Sequence, residues 1–77
     1  MKRTVFDAIE SGSYNADEAI DIDTNLSKVS PAEVPDHQLK SMIDYLDFRF
    51  LHGAVAPNLQ DNLHSLHKAL SDRYFAA

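Results

Sequence analysis

Residues 35–53 read PDHQLKSMIDYLDFRFLHG. At about 100° per residue, Leu39, Met42, Ile43, Leu46 and Phe50 fall on one stripe of a helix. Phe48 falls roughly opposite that stripe, with Tyr45 and Leu51 on its flanks. A helix at the edge of a small protein buries one face in the core. One that is apolar on both sides is either sandwiched inside the domain or keeps its second face for a partner. Gly53 reaches positive φ without steric cost, and Pro35 disfavours helical geometry at the residue before it. The spacing therefore predicts a long helix over about 36–52.

Downstream, residues 53–57 form a short link to a second long helix over about 58–75. Its stripe of Leu59, Leu63, Leu66, Leu70 and Tyr74 repeats at steps of four, three, four and four, a coiled-coil-like spacing. A link this short makes the two helices antiparallel neighbours. Upstream, Val5, Phe6 and Ile9 mark a short helix over about 3–11, stopped by Gly12. Asn15 with Glu18 three residues on has the spacing of a capping box, which predicts a brief helix over residues 16–20. Ile20 and Ile22 are its candidate anchors to the core, while Asp21, Asp23, Thr24, Asn25 and Ser27 favour a turn or irregular chain. Ser30, Pro31 and Glu33 then give a helix-start signature that Pro35 cuts to a single turn. The expected fold is all-α: an antiparallel helical hairpin with a short N-terminal helix and an irregular acidic connector, as a single domain over residues 1–77.

A chain of 77 residues is short for a self-sufficient core, and such domains often add a disulfide, a metal or a partner. The absence of cysteine excludes disulfides, thiol nucleophiles and cysteine-based zinc sites, and it favours a cytoplasmic location. No apolar run approaches the ~20 residues needed to span a bilayer, and no apolar stretch follows Lys2 and Arg3 as a secretion signal requires. No membrane association is expected.

The net charge of −5 is unevenly placed. Residues 1–36 hold eight acids and three bases, whereas residues 37–77 hold four of each, so the excess lies entirely in the first half. Phosphate-backbone binding needs clustered Lys and Arg, so direct nucleic-acid binding is not expected. A basic protein partner is electrostatically favoured.

Chemistry-bearing patterns are sparse. Asp21-x-Asp23-x-Asn25 has the alternating oxygens of a calcium loop, but Leu26 stands where that loop needs Gly and Ala32 where it needs the bidentate Glu. His64 and His67 share a helix face and could join His37, His52 or Asp61 around a metal, although boundary histidines explain them more simply. No nucleophile elbow or Gly-rich phosphate loop is present, so no catalytic residue and no cofactor is assigned.

The reading that follows is a non-enzymatic interaction module, a small acidic regulator or inhibitor of a larger basic protein. Its candidate partner-binding residues are the anchors Tyr45, Phe48 and Leu51 and the acids Asp7, Glu10, Asp17, Glu18, Asp21 and Asp23. The alternatives are a helical homo-oligomer and a histidine-based metal module.

Overall fold

The computed structural model describes residues 4–76, and among these every regular element is a helix. In chain order they are α1 (Val5–Ser11), α2 (Ala16–Leu26), two single 3-10 turns (Pro31–Glu33 and Asp36–Gln38), α3 (Leu39–Leu51) and α4 (Pro57–Ala76). Residue 3, where the first helix was expected to begin, lies outside the described residues.

Local chemistry sets most of the boundaries. Thr4 caps α1, its hydroxyl accepting the Asp7 amide at 3.1 Å while the Asp7 carboxylate takes the Thr4 amide at 3.3 Å. The Asn15–Glu18 box opens α2 as its spacing predicts, with the Glu18 amide donating to Asn15 Oδ1 at 2.8 Å and the Asn15 amide to Glu18 Oε1 at 3.3 Å. Gly12 and Gly53 end α1 and follow α3 at φ 69° and 62°, a region costly for any residue with a Cβ. Pro35 has the expected effect: the helical start at Ser30 stops after one 3-10 turn, and α3 begins only after a second.

The hairpin of α3 and α4 is the backbone of the fold. Met42 and Leu46 from α3 and Leu63 and Leu70 from α4 are fully enclosed, and Leu26 and Val34 close the core from the N-terminal half. The antiparallel hairpin and short N-terminal helix match the expected architecture, but the connector is more ordered. Residues 16–26 form one continuous helix of 11 residues, not a brief helix followed by irregular chain. Two effects keep the turn-forming residues helical. The Thr24 hydroxyl donates to the Ile20 carbonyl at 3.1 Å, so it does not divert a backbone group. Asp23 turns inward to a buried cation, which ties this turn of α2 to α3. Ile22 anchors the helix as expected, whereas Ile20 is 56% exposed and does not.

No helix among the described residues is long and apolar enough to cross a membrane.

Candidate interaction surface

The residues of α3 divide into two arcs. Leu39, Met42, Ile43, Tyr45, Leu46 and Arg49 are buried, and Phe50 is half-buried. Lys40, Asp44, Asp47, Phe48 and Leu51 face out, as does His52 just past the helix end, with Ser41 at the margin. Phe48 remains 56% exposed and Leu51 81%, so neither α1 nor α2 covers this second face. Phe48 leans on His52 at a ring separation of 4.3 Å. Two large apolar side chains thus stand among two acids on one helix face.

Tyr45 is not part of that face, which corrects its assignment as an exposed anchor. It is 4% exposed, and its hydroxyl donates to Asp23 Oδ1 at 2.7 Å, with the Ala19 carbonyl at 3.1 Å as a second acceptor. The edge of Tyr14 packs against its ring at 5.6 Å. Asp23 is corrected for the same reason. At 2% exposure it belongs to the interior, where Arg49 Nε lies 3.0 Å from Oδ2 and Arg49 Nη2 closes a forked pair. Burial, with the Asp23 hydrogen bond second, pushes the Tyr45 phenol far above its ordinary range. The hydrogen bonds that Arg49 donates to Asp23 hold its guanidinium above its ordinary value despite burial. This cluster locks α2 onto α3. Sequence reading missed it because partners 26 residues apart leave no local signal.

The other assigned acids stay at the surface. Glu10, Asp17, Glu18 and Asp21 are exposed, although Glu18 also serves as a cap. Asp7 is exposed too, but it works locally: it caps α1 and accepts from Gln38 Nε2 at 3.2 Å.

The bases are largely engaged. Arg49 is buried on Asp23, and Arg73 donates to the Val34 carbonyl at 2.9 Å, to the Pro31 carbonyl and to Asp36. Lys40 pairs with Asp44 at 2.8 Å and Lys68 with Asp72 at 3.3 Å along their own helices. Half the bases of the second half therefore pair with acids of the first half, Arg49 with Asp23 in the interior and Arg73 with Asp36 at the surface. Part of the charge asymmetry is structural, and the remainder is a surface on which acids dominate.

Between α1 and α3 runs an open groove of about 290 Å³, lined by Ile9, Tyr14, Ser41, Tyr45 and Phe48. Glu10 and Asp44 stand on opposite walls. A second groove of about 340 Å³ lies between α1 and α2, with Val5, Ala8 and Ile22 along it and Glu18 and Asp21 at its edge. Tyr14 lines both.

The histidines do not converge. His67 Nε2 lies 2.6 Å from Asp47 Oδ1, and His64 stacks on Phe50 at 3.9 Å, so both tie α4 to α3. No group of three or more His, Asp or Glu among the described residues is placed to hold a metal ion. The calcium-like run lies on helix α2, where Asp23 points inward while Asp21 and Asn25 are exposed.

No protein family, curated protein or solved structure matches the chain. The surface geometry therefore stands alone.

Proposed function

We propose that this protein is a non-enzymatic interaction module, a small acidic regulator or inhibitor that docks on a larger basic protein. One observation carries the reading: Phe48 and Leu51 stay exposed on the outer face of α3, beside Asp44 and Asp47 and across a groove from Glu10. Aromatic and aliphatic anchors inside a charged rim are the composition of a protein interface. Burying a side chain such as Phe48 contributes roughly 1.5–3 kcal/mol, and the acids steer a cationic partner and set its orientation. A basic partner that normally holds nucleic acid fits this chemistry. The lack of cysteine supports a cytoplasmic setting.

Selection from a library of displayed random peptides tests the reading. Enriched sequences that combine Lys or Arg with large apolar residues support it, provided Phe48→Asp loses them and keeps its far-UV helicity. Enrichment without cationic bias, or undiminished by Phe48→Asp, overturns it.

The second reading is a homo-oligomer packed through the same face, with Phe75 of α4, 77% exposed, as a separate apolar contact. The acids around Phe48 oppose it, because a two-fold contact sets each patch against its own copy.

A further inference from the structure

We propose that the groove between α1 and α3 seats a cationic amphipathic helix of the partner protein. The partner's apolar stripe lies against Phe48 and Tyr14, and its Lys or Arg side chains meet Glu10 and Asp44. This rests on the interaction-module reading and names the element that the partner presents.

Shape, mode and charge argue for this occupant. At about 290 Å³ the groove is open and at the small end of ligand pockets, so it suits a chain segment lying along it more than an enclosed small molecule. Helices are the only regular elements among the described residues, which therefore offer no sheet edge to pair with an extended peptide. A helix laid along the groove, its apolar side on the exposed Phe48 and its charges over Glu10, Ser41 and Asp44, is a recognition mode that this lining suits. The groove walls are two helices, α1 and α3, that already pack side by side.

Charge selects the sign of the occupant. Glu10 has no cation within ion-pair distance among the described residues. Asp44 has only Lys40, and both side chains of that pair are more than 60% exposed, so water screens it and an incoming cation competes for the carboxylate. Acids on facing walls match a helix with basic residues on both flanks of an apolar stripe. A second copy of this chain is a poor occupant, because its net charge of −5 repels the acidic groove and Arg49 and Arg73 are already committed to contacts within its own fold.

The experiment uses two synthetic amidated helical peptides of about 18 residues, five turns. One has a Leu stripe flanked by Lys, and the other has Glu in place of every Lys. Binding is read by fluorescence anisotropy, and the seat by amide chemical shifts of the labelled protein. The Lys peptide is expected to bind and to shift Ile9, Glu10, Tyr14, Asp44 and Phe48. Glu10→Lys is expected to weaken it by about tenfold in Kd, roughly 1.4 kcal/mol. Ser41→Trp, which fills the groove, is expected to weaken it further, and the Glu peptide is expected not to bind.

Shifts centred on Leu51 and Asp47, or on Glu18 and Asp21, with Glu10→Lys binding unchanged, overturn the groove while leaving the basic-partner reading intact. Equal binding of both peptides overturns the groove proposal and the basic-partner reading together. Binding of neither peptide overturns the groove proposal, and the library selection then decides the broader reading alone.

Discussion

Asp23, 2% exposed, accepts from three donors on two side chains, Tyr45 and Arg49, and removing each side chain has a different consequence. Arg49→Met leaves a buried carboxylate without its cation, which costs about 3–5 kcal/mol. Replacing both partners, Asp23→Leu with Arg49→Met, removes the unpaired charge and restores most of that loss. Urea unfolding of the single and double variants checks this, and a double variant no better than the single one contradicts it. Tyr45→Phe deletes only one of the hydrogen bonds to the carboxylate, with an expected cost of roughly 1.5–3 kcal/mol.

The same residue gives a pH dependence. The folded Tyr45 phenol titrates well above its ordinary value of 10.0, first through burial and then through the Asp23 hydrogen bond. Its raised value stabilises the fold fully below pH 10, where folded and unfolded chains both hold the proton. Above pH 10 the unfolded chain releases that proton and the folded chain retains it, so stability falls by up to about 1.4 kcal/mol per pH unit. Tyr45→Phe lacks this slope. The stability gap between wild type and Tyr45→Phe is therefore expected to shrink between pH 9 and pH 11, as measured by urea midpoints. A constant gap contradicts the assignment.

At the scale of elements, local signals were legible and distant pairings were not. The capping box at Asn15 and Glu18 and the glycines at 12 and 53 act within a turn, and the Leu63, Leu66 and Leu70 steps of α4 follow the helical period, so the sequence displays them directly, whereas Tyr74 at the end of that stripe is 38% exposed and Leu59 at its start half-buried. Asp23 and Tyr45 misled for a physical reason: an acid in a polar run and a phenol on a helix flank look exposed until packing of α2 on α3 brings Asp23 to Arg49 and Tyr45. Phe48 and Leu51 were readable because they oppose the core stripe of α3, whereas the groove beside Phe48 needs α1 in place. Arg73 is the other unheralded element contact, since it clasps α4 to the two 3-10 turns through the Pro31 and Val34 carbonyls and Asp36. Arg73→Ala is expected to cost about 1–3 kcal/mol and to speed limited proteolysis within residues 30–36. Unchanged cleavage there contradicts the clasp. In α4, Leu66→Ala removes a core side chain that is 3% exposed and is expected to cost about 2–5 kcal/mol by thermal melting.

At the scale of the whole molecule, one electrostatic field acts on both uses of the outer face of α3, with opposite sign. The radius of gyration is 11.6 Å, so much of the surface lies within one or two Debye lengths of Glu10 and Asp44 at physiological salt, about 8 Å each. With a net charge of −5 the molecule repels its own copy and attracts a basic one. Salt weakens both effects. Raising sodium chloride from about 0.05 to 0.5 M shortens the screening length roughly threefold. Binding of a basic partner is then expected to weaken, mainly through a slower association rate, while self-contact through Phe48 and Leu51 loses its opposition and rises. Light scattering on purified protein over this salt range, at low and high concentration, is expected to give a monomer at low salt. Any larger species is expected only at high salt, and Phe48→Asp is expected to abolish it. A stable oligomer at low salt that persists in Phe48→Asp places self-association on another surface, with Phe75 the next residue to change, and leaves the α3 face free for a basic partner. A low-salt oligomer that Phe48→Asp dissolves reverses the order of the two readings, because hydrophobic contact then outweighs the repulsion on which the basic-partner reading depends.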